Sequence, residues 1–396
     1  MRPCSLRIAA LVLAAAAGLG GQAGAASPMR QAQPDAGRLP PIPGLGPHLD
    51  SISCTAPQSC WAVGDTSRGL FALHLERGRW SYVAMPTPHG YTRSQGPWVS
   101  CVSDGDCWAA GGTDYDPIEI SPSRNVAIHW NGVRWRLASV PSPGYRDATY
   151  DALESISCPT ARECWAVGYR NGYQSALRWD GRRWTVSTVP LAHVPAADSA
   201  DLESVNCVSP RDCWAVGTRT AGSGEGGCGS TGELNEVLHW DGTRWAIFNA
   251  PSTSSCTNDL GLVSCVSARS CWATGGTENQ NSALHWNGRR WQFEPIPSPG
   301  VSDLDLILGL DCPSAGTCWA VGTRGSQTGE SVNMILRYRS GRWRVIQPPQ
   351  PPGRGNELLG VACGGPTSCW AVGYTQQGNF RAQVLHWDGR RWSVAP

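Results

Sequence analysis

The 396-residue chain sets 31 acidic residues against 32 basic ones, all arginine, for a formal net charge of +1. With no basic block in the sequence, this balance argues against nucleic acid or an anionic membrane surface as partner.

In chain order, Arg2 and Arg7 flank the apolar, Ala-rich run Ile8–Gly20, and Ala23-Gly24-Ala25 has the small-x-small form of a cleavage site. Residues 1–26 read as a secretory signal peptide, the apolar run being too short to span a bilayer. Cys4 precedes that run and cannot be a lipidated cysteine. No second run of spanning length follows, so a secreted, extracellular, monomeric protein is expected. Residues 27–48 are expected to form an extended N-terminal segment that closes the fold built by residues 49–396.

From Cys54 onward one unit recurs seven times. Its marker is Cys-five residues-Cys-Trp, with Trp61, Trp108, Trp165, Trp214, Trp272, Trp319 and Trp370 spaced 47 to 58 residues apart. Each unit holds four short strand signals, such as Leu153–Cys158, Cys164–Gly168, Ser175–Trp179 and Arg182–Val189. A period near fifty made of strands predicts an all-β, seven-bladed β-propeller with four antiparallel strands per blade. The third turn carries Asn131-Gly132, Asp180-Gly181, Asp241-Gly242, Asn287-Gly288 and Asp388-Gly389. These predict two-residue type I′ turns, with Arg77-Gly78 and Ser340-Gly341 as weaker versions. In that register Trp130 faces Val133, Ile128 faces Trp135, and His129 faces Arg134.

Of the 17 cysteines, Cys4 leaves with the signal. Seven pairs predict one bridge within each blade: Cys54 with Cys60, Cys101 with Cys107, Cys158 with Cys164, Cys207 with Cys213, Cys265 with Cys271, Cys312 with Cys318, and Cys363 with Cys369. Cys228 with Cys256 would make an eighth. Zinc would need four ligands gathered together, which a lone pair per repeat does not supply.

The Trp-Ala-Val-Gly strand and the His-Trp-Asp-Gly-Arg-Arg-Trp hairpin, over Cys54–Trp392, resemble the kelch repeats of galactose-oxidase-like propellers. They also resemble the Asp-box repeats of sialidase-like and photosystem II assembly-factor-like propellers. The match is nearest to secreted bacterial proteins with repeated CWAVG and HWDG units.

Nineteen of the 20 tryptophans hold repeat positions, Trp98 being the exception, which assigns them to packing between blades. The histidines His74, His129, His239, His285 and His386 share one repeat position, with Arg178 and Arg337 in the other two blades. They are expected to form a polar ladder with the arginine before each last tryptophan. No metal site or cofactor is expected from them. Asp151, Asp201, Asp259 and Asp305 precede first strands, where a carboxylate ring round the channel could hold Ca²⁺. Asp114-Tyr115-Asp116 is a second, weaker candidate for a cation.

Length variation falls on the second loop of each repeat, read as 65–71, 112–126, 169–175, 218–236, 276–282, 323–334 and 374–383. Variable loops on one face of a rigid scaffold are how binding surfaces are commonly built. The candidate ligand-binding residues are Asp114, Tyr115, Asp116, Arg124, Tyr169, Arg170, Tyr173, Glu225, Glu233 and Tyr374. No catalytic constellation stands out. The expectation is a non-catalytic binding or scaffold propeller for a protein, glycan or cell-envelope polymer. The alternative is a glycosidase- or sialidase-like enzyme with its site at the channel mouth of the same face.

Overall fold

The computed structural model describes residues 38–89, 91, 96–113, 123–143, 151–191, 199–220, 232–253, 256–278, 280–300, 305–326 and 330–395. It is an all-β propeller of seven blades, with 28 strands among the described residues. Each blade is four consecutive antiparallel strands. The blades run His48–Ala84, Trp98–Ala138, Asp151–Ser187, Ala200–Ile247, Asn258–Phe293, Leu306–Ile346 and Gly355–Val394. A parallel bridge, Ser331 to Gly355, links the sheets of blades 6 and 7. Among the described residues no strand is exchanged between blades, and blade 1 closes the ring by packing on blade 7. There Leu49, Phe71 and Trp80 share a core with Trp370, Val372 and Val384, against which Leu39 and Ile42 rest.

Strand position within a blade explains the sequence pattern. The second strand is sandwiched between neighbouring blades and is buried on both faces, as in Glu163–Arg170. The outer strand alternates, as in Trp184–Ser187, whose tryptophan alone is buried. The glycine of Cys-Trp-Ala-Val-Gly is a steric requirement. At Gly168 a Cβ would lie 2.0 Å from the Ala152 carbonyl oxygen, because the first strand bulges beside it.

The seven Cys-Trp tryptophans weld the ring. Each lies against aromatic side chains of the next blade: Trp61 on Trp130 and Trp135, Trp108 on Trp179 and Trp184, Trp370 on Trp80. The repeated histidine or arginine caps the same indole. His74 stacks on Trp61 at 4.1 Å, and Arg337 lies 4.7 Å from the Trp319 ring. The expected packing role of the tryptophans is what the structure shows.

The first strands lie innermost and contact one another in sequence round the ring. Their outward N–H groups would be orphaned edges. The residue before each first cysteine accepts from the corresponding cysteine N–H of the next blade. Ser53 accepts from Cys101, Ser100 from Cys158, Ser157 from Cys207, Asn206 from Cys265, Ser264 from Cys312 and Asp311 from Cys363, at 2.8–3.1 Å. At the seventh junction the place is held by Ala362, which has no side-chain acceptor.

The seven expected disulfides are formed, one per blade, with Cα atoms 3.9–4.1 Å apart. Cys54 is bonded to Cys60, Cys101 to Cys107, Cys158 to Cys164 and Cys207 to Cys213. Cys265 is bonded to Cys271, Cys312 to Cys318 and Cys363 to Cys369. The two halves of a bridge are not equivalent. The second cysteine, on the sandwiched strand, is buried in every blade: Cys60, Cys107, Cys164, Cys213, Cys271, Cys318 and Cys369. Five of the seven first cysteines are half-buried, Cys158 and Cys312 being the buried exceptions. These second cysteines therefore serve as core side chains as well as staples, a role the spacing alone did not indicate. Cys256 is also disulfide-bonded; Cys228 lies outside the described residues.

The third turn differs from expectation. Arg77-Gly78 and Ser340-Gly341 are the two-residue turns, with both φ values positive. The Asx-Gly turns are four residues long. Trp130 pairs with Trp135, Ile128 with Leu137 and His129 with Arg136. Only Gly132 takes positive φ there, while the Asn131 side chain accepts from the N–H groups of Val133 and Arg134. Satisfying two amides from one side chain makes the longer turn self-sufficient.

The His/Arg ladder is likewise corrected. His129 Nε2 lies 2.7 Å from Asp106, His239 2.8 Å from Asp212 and His74 2.7 Å from Asp104. Arg178 makes a two-point contact with Glu163. In these four blades the partner is an acid at the entrance to the second strand or in the next blade's first turn, whereas His386 pairs with the Ser368 hydroxyl; the turn arginines, such as Arg183, point to solvent.

Candidate functional site at the channel mouth

Second strands run further than their sequence signal suggests, so several expected loop residues stand on strands. Tyr169 and Arg170 end the second strand of blade 3, and Tyr173 begins the third. Between them lies only Asn171-Gly172, both at positive φ. Arg170 pairs directly with Tyr173, gathering the three side chains at one turn. Arg124 is exposed just before the third strand of blade 2, apart from the others. Glu233 starts the third strand of blade 4, its N–H donating to the Cys256 carbonyl at 2.8 Å. Tyr374 lies on the second strand of blade 7, edge-on to His48 at 6.2 Å. Asp114, Tyr115, Asp116 and Glu225 lie outside the described residues.

The chemistry gathers instead at the start of the innermost strands, on the side of these same turns. A buried leucine is followed there by an acid: His48-Leu49-Asp50, Ala152-Leu153-Glu154 and Asp201-Leu202-Glu203. Flanking positions of a strand share a face, so the acids of adjacent blades converge. Glu203, Asp201 and Asp259 form one cluster, with Glu154 and Glu233 at its edge. The Thr218 hydroxyl donates to Asp259 Oδ1 at 3.1 Å, and the Thr218 N–H donates to Asp201 Oδ1 at 3.3 Å.

Asp201 and Glu203 are half-buried and Asp259 is exposed to the channel, so crowding by surrounding protein, short of full enclosure, dominates the electrostatics of this cluster. Glu203 is held well above the usual carboxylate range by burial, then by the charges of Asp259, Asp201 and Glu154. Burial and the Asp259 charge push Asp201 up to about 6. Asp259 is raised by burial, against the opposing hydrogen bonds from Thr218 and Glu203. The Glu203 and Asp259 carboxyls interact directly, and a proton on one of them would let it donate to the other. The result is an acidic mouth whose carboxyls keep their protons to higher pH than free carboxyls do.

Of the four aspartates expected to ring the channel, Asp201 and Asp259 are brought together. Asp151 is buried, with its N–H donating to Ser123 Oγ, and Asp305 accepts from the Gly300 N–H at 2.7 Å. Neither acts on the carboxyls of the cluster, and Asp305 is turned back to hold its own inter-blade segment at Gly300. A different group could hold a metal. His48, Asp50 and Asp65 place three ligand atoms within 4.8 Å of one another. Sequence reasoning missed these residues and Glu203; the polar-Leu-acid triplets at 48–50 and 201–203 were the available signal.

Among the described residues no helix is long and apolar enough to cross a membrane. No protein-family profile matches the chain, and no curated protein matches it. Solved structures do. A structure of YCF48 bound to D1 peptide is 12% identical with a TM-score of 0.52, the match covering 87% of this chain and 93% of that one. YCF48 from Cyanidioschyzon merolae is 16% identical with a TM-score of 0.54, covering 88% and 97%. At such identities the likeness establishes one thing, the propeller fold.

Proposed function

We propose that this chain is a secreted, monomeric, non-catalytic propeller that binds a protein segment at the channel mouth, on the face of the variable second turns. The observation that carries the reading is the carboxyl cluster of Asp201, Glu203 and Asp259. It is a fixed acidic recess in a scaffold whose repeated His, Trp and Cys residues are engaged in packing. Such a recess favours a basic or amide-rich segment, whose N–H groups and cations would replace the retained protons. The YCF48 structure with a bound peptide supports this choice of partner class over a cell-envelope polymer. Exposed Arg170 and half-buried Tyr169 and Tyr173 on an adjacent blade are of the residue types that anchor interfaces.

A second reading rests on the same carboxylates. A carboxyl kept protonated beside ionised ones supplies the acid-and-base pairing a glycoside hydrolase uses, there with the two groups roughly 5–9.5 Å apart.

A peptide array probed with the mature chain, Glu203→Gln and a deletion of residues 221–231 separates the two. Binding of basic peptides, weakened by both changes, supports the proposal. Retention of all binding by both variants refutes it. Hydrolysis of an aryl-glycoside panel, abolished in Glu203→Gln, would favour the enzyme.

A further inference from the structure

The sevenfold frame supplies its own controls, because each place in one blade can be compared with its equivalents. The residue opposite the start of the first strand is Asp65 in blade 1, paired with His48. The same place is held by Tyr169, Thr218, Gly276, Thr323 and Tyr374 in blades 3 to 7. A neutral side chain, or none, therefore suffices for the blade to form, and the carboxylate of Asp65 is not demanded by the fold.

That carboxylate is only 1% exposed, and it has close company. His48 Nε2 lies 3.6 Å from Asp65 Oδ2 and 3.3 Å from Asp50 Oδ1, with His48 and Asp50 11% and 14% exposed. Asp50 Oδ2 is buried and accepts no hydrogen bond. Within the triad one imidazolium can offset one of the two carboxylates, so the three groups taken together are anionic. Two carboxylates and an imidazole whose ligand atoms lie within 4.8 Å of one another are a donor set of the kind that coordinates a metal.

We infer that His48, Asp50 and Asp65 form a binding site for a divalent first-row transition cation at the junction of blades 1 and 7. Two carboxylates and a neutral imidazole match its charge, and three protein ligands leave positions for water. The imidazole selects Zn²⁺ or Mn²⁺ over Ca²⁺, which prefers an all-oxygen set. Tyr374 of blade 7 stands edge-on to the imidazole from the other side of the junction. This inference does not depend on the peptide-binding reading.

The test uses the tag-free mature chain, dialysed against chelator and titrated calorimetrically with ZnCl₂, MnCl₂ and CaCl₂. Wild type should take up one equivalent of Zn²⁺ or Mn²⁺ and bind Ca²⁺ about tenfold or more weakly by comparison. Asp50→Asn and His48→Gln should each weaken uptake by about tenfold or more, since even loss of a ligand's outer hydrogen bond costs that much. Asp305→Asn, a buried acid at the start of blade 6, should leave uptake unchanged. Metal-free melting curves establish that each variant is folded. Absence of stoichiometric uptake by wild type overturns the inference. So does uptake undiminished in both ligand variants, or reduced equally in Asp305→Asn.

Discussion

Trp135 of blade 2 stands edge-on to Trp61 of blade 1, ring centroids 5.4 Å apart and planes at 88°. The relation recurs at Trp184 on Trp108, Trp245 on Trp165 and Trp392 on Trp319. The edge-on indoles of Trp135, Trp184, Trp245 and Trp392 donate to no oxygen; their positive edges meet the π face of the partner instead. Trp61 also carries His74 stacked on it, so one ring joins two blades. Trp61→Ala should cost about 3–5 kcal/mol, read as a fall in denaturant midpoint. Val133→Ala, in the turn and 79% exposed, should leave the midpoint unchanged. Equal effects from the two would refute the view that stability lies at the blade junctions.

The inner belt of acceptors makes a prediction in the stabilising direction. Six junctions have a side-chain oxygen before the first cysteine, and Ala362 stands at the seventh, 8% exposed. Ala362→Ser would supply the missing acceptor for the Cys54 N–H, worth about 0.5–1.5 kcal/mol. Ser100→Ala should lose a similar amount or more by orphaning the Cys158 N–H. Thermal melts of the two variants should move in opposite directions, and a drop in both would sink the belt as a stabilising device.

The Cys101–Cys107 bridge joins cysteines already paired across a tight bend, so its loss should weaken the fold without dissolving it. Closing a loop of this size contributes roughly 2–2.5 kcal/mol in the chain-entropy account. The double variant combining Cys101→Ala with Cys107→Ala should therefore keep its circular dichroism spectrum and unfold in a single transition at lower denaturant. Separate melting of one blade would show that the bridges, rather than the tryptophans, hold the ring.

The blades and their bridges were legible because periodicity repeats a signal seven times. The hairpin partners were not, because Asp-Gly suits two turns of different length. The pairing moved by two residues, from Trp130 opposite Val133 to Trp130 opposite Trp135. A slip of two keeps every side chain on its face. The aromatic and polar faces were therefore read correctly while the histidines were given the wrong partner. The acidic mouth was half visible. Asp201 and Asp259 mark strand starts in the sequence. Glu203 joins Asp201 on one face because the strand runs back past Leu202 to Ala200, and convergence between blades is a property of ring curvature that no local pattern carries.

The mouth should give the protein an unusual pH response. Asp201, Glu203 and Asp259 hold their protons more tightly folded than unfolded. In acid both states are protonated and the cluster costs nothing. As pH rises from about 4 through about 6 the unfolded chain releases protons that the folded chain retains, so stability falls with pH. Half-buried His285 and His386, whose affinity for protons is lowered by desolvation, act in the opposite sense below about pH 6.5. The informative quantity is therefore the difference between Glu203→Gln and wild type. That difference should be near zero at pH 4 and should favour the variant at pH 8. It should be on the order of 1 kcal/mol or more, the worth of one pKa unit. A variant less stable than wild type at pH 8 would mean that the Glu203 carboxylate is held by a partner cation rather than by a retained proton.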